Sequence, residues 1–183
     1  MSKKMKVVGQ YKALMPAVEH MCTLLSRHSH GSGHAVFDID DTLIFDNEHE
    51  TPNLQIMHLV DVARAYGLDV HLVTARMHAP DVVSWTRAQL RRHKIKYNTL
   101  ALAPEAVRES MSSVAKWKHE QRAKHGQVFL SVGDQWGDLM LLTDDSEIRK
   151  LDRAHNVETG PWVIIQPNDS VTQYGLKLMD SRT

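Results

Sequence analysis

Apolar residues in this chain gather in short runs, and the stretches between them show helical spacing, so strands and helices are expected in turn. Ala35-Val36-Phe37, Val70-His71-Leu72-Val73, Thr99–Leu102, Gln127–Val132 and Trp162–Ile165 read as short buried strands. Upstream, Tyr11–Arg27 places Leu14, Ala17, Val18, Met21, Leu24 and Leu25 on one helical stripe, fit to pack on a sheet. Leu54–Tyr66 repeats the pattern with Leu54, Met57, Leu59, Val60 and Ala63, and Gly67 stands where a helix would end. Asp81–His93 carries Val82, Val83, Trp85, Ala88 and Leu90, with Trp85 read as a core side chain. Ser112–Lys124 is a basic helix whose Lys116, Lys118, Arg122 and Lys124 are expected on a solvated face. Strands alternating with helices predict an α/β fold, a doubly wound parallel sheet with right-handed crossovers. Residues 35–166 form its core, 1–34 an N-terminal helix and connector, and 167–183 a tail.

The polar residues that interrupt this pattern cluster where strands should end. Phe37-Asp38-Ile39-Asp40-Asp41-Thr42-Leu43 follows the first core strand, and side chains two apart leave a strand on the same side. Asp38 and Asp40 would then repel each other, and a divalent cation would relieve the repulsion. A bare Asp-x-Asp reads equally well as a strand stop that caps a turn. The next strand runs into Thr74-Ala75-Arg76. Thr74 is either an anion donor or an ordinary strand end, and Arg76 either a phosphate ligand or a solvated loop charge. Gly133-Asp134-Gln135-Trp136-Gly137-Asp138 returns two acids to the same edge, its glycines permitting a tight turn with close backbone approach. Alone, it also reads as an acidic turn whose Asp138 favours a helix N-terminus.

Composition narrows the partners. The 183 residues, 42% hydrophobic, suffice for one domain with a substantial core. Lys plus Arg and Asp plus Glu are 22 each, so no global field draws the chain to nucleic acid or an anionic membrane, although the twelve His would turn it positive at acid pH. A single cysteine, Cys22, allows no internal disulfide. The N-terminal MSKKMKVVGQ lacks the apolar stretch of a secretion signal, and no run reaches membrane-spanning length, which gives the expectation of a soluble, cytoplasmic protein. His28, His30 and His34 punctuate a Gly/Ser-rich connector that could hold a transition metal but reads more simply as solvated loop.

Taken together, Asp38-x-Asp40, Thr74, a lysine on the basic helix and Gly133-Asp134-x-x-x-Asp138 resemble the four motifs of the haloacid dehalogenase superfamily of phosphotransferases. The resemblance spans roughly Ala35 to Asp138. Its first and last motifs look like the branch containing plant vegetative storage proteins and bacterial class B acid phosphatases, and the Gly-Asp-Gln-Trp turn is especially similar to the plant members. The resemblance implies a phosphomonoester hydrolase. Asp38 would be the nucleophile of an aspartyl-phosphate mechanism, and Asp40 the acid and base. Thr74, Lys116 and Arg76 would meet the phosphoryl group. Mg²⁺ would lie between Asp38, the Asp40 carbonyl and Asp134, with Asp138 behind the ligand set. Lys116 is preferred to Lys118 because its distance along the chain to Gly133-Asp134 is nearer the family's spacing. Ala75 departs from the glycine often found there, which touches the loop carrying Arg76.

Some storage-type relatives lack the nucleophile that Asp38 supplies here, so the sequence leans to an enzyme over a non-catalytic storage or binding protein. The stretches Leu43–Val70 and Arg76–Ser112 leave no room for a large cap domain. An uncapped site would admit varied small phosphorylated substrates, nucleotides or nucleic-acid ends among them, or be covered by the N-terminal segment or a second subunit of a homo-oligomer.

Overall fold

Strand residues that are apolar on both sides belong in the middle of a sheet with helices on each face, and the computed structural model of the chain has that arrangement. It describes residues 5–27, 33–45, 49–158 and 162–178. In chain order the elements are β1 (Lys6–Tyr11), α1 (Leu14–Ser26), β2 (Gly33–Phe37), α2 (Leu54–Ala65), β3 (Leu68–Met77), α3 (Pro80–Arg92), β4 (Thr99–Ala103), α4 (Met111–Ala123), β5 (Val128–Gly133), α5 (Asp145–Glu158), β6 (Trp162–Gln166) and β7 (Thr172–Lys177). One seven-stranded sheet runs β1-β6-β7-β5-β2-β3-β4. The fold is mixed α/β and Rossmann-like.

The pairings β2·β3, β2·β5, β3·β4 and β5·β7 are parallel, as expected. β6 departs from the expectation, running antiparallel to both β7 and β1. The turn that joins β6 directly to β7 is too short for the crossover a parallel partner needs. Three elements were not anticipated. β1 takes Tyr11 from the expected helix, α5 fills the stretch before β6, and the expected tail supplies β7.

Two faces of the sheet carry separate apolar clusters. Met21 and Leu25 of α1, Ile56 and Leu59 of α2 and Leu90 of α3 pack with Phe37, Leu72 and Leu130. On the other side Ala115 of α4 and Ile148 of α5 pack with Trp136, Val163 and Ile165. The helix ends follow local chemistry: the Asn53 side chain accepts from the Ile56 N–H, the Ser110 hydroxyl from the Ser113 N–H, and Gly67 adopts φ +84° just past α2. Trp85 is a correction. It is 45% exposed rather than core, because α3 turns Thr86, Gln89 and Leu90 inward instead.

The strand order creates the place for a site. From β2 the chain moves outward to β3 and β4, then returns through α4 to put β5 on the other side of β2. That reversal opens a crevice between the C-terminal ends of β2 and β5. Between Met77 and Met111 the described elements are α3, β4 and a single 3-10 turn, Glu105–Val107, with no inserted cap among them.

Candidate active site

Parallel pairing of β2 with β5 sets Phe37 beside Val132, so the chain after each strand emerges at the same height. The Asp38 N–H continues the ladder by donating to the Val132 carbonyl at 3.0 Å. A tight turn follows in which the Thr42, Leu43 and Ile44 N–H groups all donate to the Ile39 carbonyl. Asp41 takes φ +53° there, a left-handed conformation that Asp tolerates better than most residues. Asp38 is thereby held at the mouth of the crevice, 5% exposed.

Across the crevice the Gly133–Asp138 turn folds back on itself so tightly that its glycines are obligatory. A Cβ on Gly133 would lie 2.2 Å from the Asp138 side chain, and one on Gly137 2.8 Å from the Ala115 Cβ. Asp138 fixes the turn by accepting from the Gln135 N–H through Oδ2 at 2.9 Å. Trp136 is wholly buried beneath it. Carboxylate oxygens of Asp38, Asp134 and Asp138 come within 4.8 Å of one another.

The lysine that faces these acids is Lys118, which corrects the expectation of Lys116. Lys118 Nζ donates to Asp38 Oδ1 at 2.8 Å and to Asp138 Oδ1, and all three side chains are 5% exposed or less. Lys116 is exposed. The reason is helical phase: Ala115, Lys118 and Arg122 lie three and four residues apart and share the face of α4 turned to the sheet. Arg122 was also expected in solvent, yet it is 1% exposed, and its Nη1 donates at 3.0 Å to the carbonyls of Gly137 and Asp138. It ties the acidic turn to α4. The same three-four spacing is visible in the sequence and would have separated Lys118 and Arg122 from Lys116 and Lys124.

Asp40, Thr74 and Arg76 form a second group beside the first. Arg76 Nε and Nη2 grip the Asp40 carboxylate at 2.7–3.0 Å, and Thr74 Oγ1 donates to Asp40 Oδ2 at 3.2 Å. Thr74 lies within β3, which runs on to Met77. Arg76 Nη1 reaches Thr86 Oγ1, and its guanidinium sits 4.4 Å from the Trp85 ring centroid. Arg76 is therefore neither a loop charge nor solvated. A cleft of about 400 Å³ adjoins both groups, lined by Ala75 and Gln135 together with Arg108, Ser110 and Arg149.

Burial dominates the electrostatics. Desolvation, then the charges of Asp138 and Asp38, push the Asp134 pKa up to about 9, with Lys118 and Lys177 opposing. Asp38 rises to about 7, chiefly by burial against the pull of Lys118. Lys118 is raised by the two acids it binds, which outweigh its own desolvation, so it stays charged. Both raised acids bind a proton more tightly in the folded chain than in the unfolded one. Their protonated forms contribute stability that is complete below about pH 4 and lost as pH climbs through about 7 and about 9. In EDTA the melting temperature should thus fall between pH 6.5 and 9. Asp134→Asn, which cannot ionise, should melt above the parent at pH 9, by at least several degrees, and the gap should narrow steadily as the pH is lowered toward 4, as followed by circular dichroism. Equal pH dependence in the two proteins would refute this account of Asp134.

No protein-family model and no curated protein matches this sequence. Among solved structures, a chain described as "Structure of Pnkp1/Rnl/Hen1 complex" is similar with a TM-score of 0.51 at 16% identity. The match covers 70% of this chain and 44% of that one, so less than half of the neighbour is represented here. At that identity it bears on the fold and agrees with the Rossmann-like sheet described above. No described helix is long and apolar enough to cross a membrane.

Proposed function

We propose that the chain is a Mg²⁺-dependent phosphomonoester hydrolase that works through an aspartyl-phosphate on Asp38. The observation that carries this reading is the buried contact of Lys118 with Asp38 and Asp138, within reach of Asp134, at the crevice where the strand order reverses. A carboxylate held rigid by a lysine is oriented to attack phosphorus, and orientation is the larger part of what such a displacement requires. The ammonium would also offset charge gathering on the phosphoryl oxygens.

An all-carboxylate, oxygen-only donor set suits a hard divalent cation. As the resemblance implies, Asp38, Asp134 and the Asp40 main-chain carbonyl would hold Mg²⁺, with Asp138, bound by Lys118 and the Gln135 N–H, behind them. The ion would supply positive charge to the phosphoryl oxygens and keep Asp38 and Asp134 ionised. Asp40, about 40% exposed at its side chain, stands where a leaving oxygen could meet it, and would protonate that oxygen and later take a proton from the attacking water. Thr74 would exchange Asp40 for a phosphoryl oxygen. Arg76 would hold Asp40 in place.

A nucleotide or nucleic-acid end as the ester is favoured by one observation, the exposed Trp85 stacked on Arg76 beside Asp40, since an aromatic ring at the rim offers a surface for a base. The test is a panel of an aryl phosphate, a mononucleotide and a phosphorylated oligonucleotide, each with Mg²⁺ and with EDTA. Turnover of the aryl phosphate with Mg²⁺ and its loss in EDTA are expected. Trp85→Ala should raise KM for the base-bearing esters alone; an equal effect on the aryl phosphate would remove Trp85 from base recognition. No turnover of any ester, together with no metal binding, would favour a non-catalytic binding protein.

A further inference from the structure

A second cluster of titratable side chains lies away from the acids. His34 at the start of β2, His71 in β3 and His125 just past α4 come from distant parts of the chain, yet each offers a ring nitrogen within 4.8 Å of the others. His34 Nδ1 and His71 Nε2 are 2.9 Å apart. The His71 and His125 rings stack at 3.6 Å between centroids, 16° from parallel, and the His34 ring lies 5.1 Å from one and 5.7 Å from the other. Of the connector histidines, His34 takes part here; His28 and His30 lie outside the described residues.

We propose that His34, His71 and His125 form a binding site for a borderline transition-metal ion of the zinc type. Three imidazoles around one point have little reason to gather as mere core, since each pair of facing nitrogens can share only one hydrogen. Imidazole nitrogens suit Zn²⁺ or Co²⁺ and not the hard Mg²⁺ that the carboxylates would take, so the two sites differ in chemistry. His71 has the support that metal-ligating histidines usually show: its Nδ1 faces Thr99 Oγ1 at 2.7 Å, which lets Nδ1–H donate outward and turns the Nε2 lone pair to the cluster. Burial and the neighbouring rings lower the His71 pKa to about 4, so it is in the neutral, ligating form at physiological pH.

Binding would replace the His34–His71 hydrogen bond and turn His125 out of its stack. His125 is half-buried, and open space lies where a Cβ on the next residue, Gly126, would stand, so the ring has room to turn. The site lies about 13 Å from Asp38, four residues of strand at roughly 3.3 Å each, and α4 joins the two, carrying Lys118 within it and His125 just beyond its end. A bound ion would therefore pin the far end of α4 to β2 and β3.

The experiment titrates the untagged, EDTA-treated full chain with Co²⁺ and follows visible absorption. One equivalent should give the ligand-field bands of a low-coordinate nitrogen site, and Zn²⁺ should abolish them by displacement. His34→Ala and His125→Ala, both at half-buried positions and checked for folding by circular dichroism, should lose the bands. Thr99→Val should weaken Co²⁺ binding about 10–100-fold, and Asp134→Asn should leave the bands intact. Zn²⁺ should raise the melting temperature of the parent and not of His125→Ala. Absence of bands in the parent, their survival in folded His125→Ala, or their loss in Asp134→Asn would each overturn the assignment.

Discussion

Asp38→Asn is expected to abolish turnover of a generic aryl phosphate, lowering kcat by about three orders of magnitude or more, as loss of an enzyme nucleophile does. The amide keeps the shape of the carboxylate and can still accept from Lys118 through its oxygen, but it cannot attack phosphorus or carry a phosphoryl group. Lys118 also keeps Asp138 as a charged partner, so the substitution leaves no lysine buried without a counterion. The variant should consequently fold, with a circular dichroism spectrum like the parent's. Beryllofluoride, a stand-in for the phosphoryl group on an aspartate, should form an adduct with the Mg²⁺-loaded parent and none with the variant. Turnover retained in Asp38→Asn would remove Asp38 as nucleophile, whatever the adduct showed.

Lys118→Met should be costly in two ways, and Lys116→Met in neither. Methionine matches the lysine stem but leaves Asp38 and Asp138 buried without their cation. Breaking a buried ion pair from one side costs about 3–5 kcal/mol. For a chain of this length that corresponds to a fall of roughly 6–20 °C in Tm. The loss should be greatest at high pH, where the abandoned Asp38 is most strongly driven to ionise, and smaller near pH 5, where it can protonate. Activity should fall about 100-fold or more even where the variant is folded, since the charge facing the phosphoryl oxygens goes with it. Lys116 is exposed, and its loss should change neither quantity. A pair of melts and a pair of progress curves decide the matter; a Lys116→Met defect equal to that of Lys118→Met would break the proposed role.

The two lysines differ in a way that the chain alone does not show. Spacing to a distant motif favours Lys116, but distance along a chain does not say which way a helix is turned. The turn of α4 is set by Ala115, which packs against Gly137, and from that contact Lys118 and Arg122 follow three and seven residues on. Trp85 failed similarly: its apolar bulk argued for the core, whereas α3 buries Leu90 and leaves the indole under Arg76. β7 was hidden because Thr172–Lys177 is polar by composition. It is a strand because β5 and β6 both offer it backbone partners. The histidines at 71 and 125 carried no signal at all, lying 54 residues apart in sequence until β3 and α4 met.

What the sequence determined by itself was local: apolar runs long enough for strands, helical stripes between them, acids immediately after β2 and β5, and glycines where Asp138 must pass close. Those features follow from steric and solvation rules that act within a few residues. The tertiary structure alone decided which charges left water. Only the crossover that seats β5 beside β2, with α4 laid across them, buries Lys118 among three carboxylates and shifts the pKa values of Asp38, Asp134 and Lys118, because burial and charge proximity belong to the packed chain and not to any stretch of it.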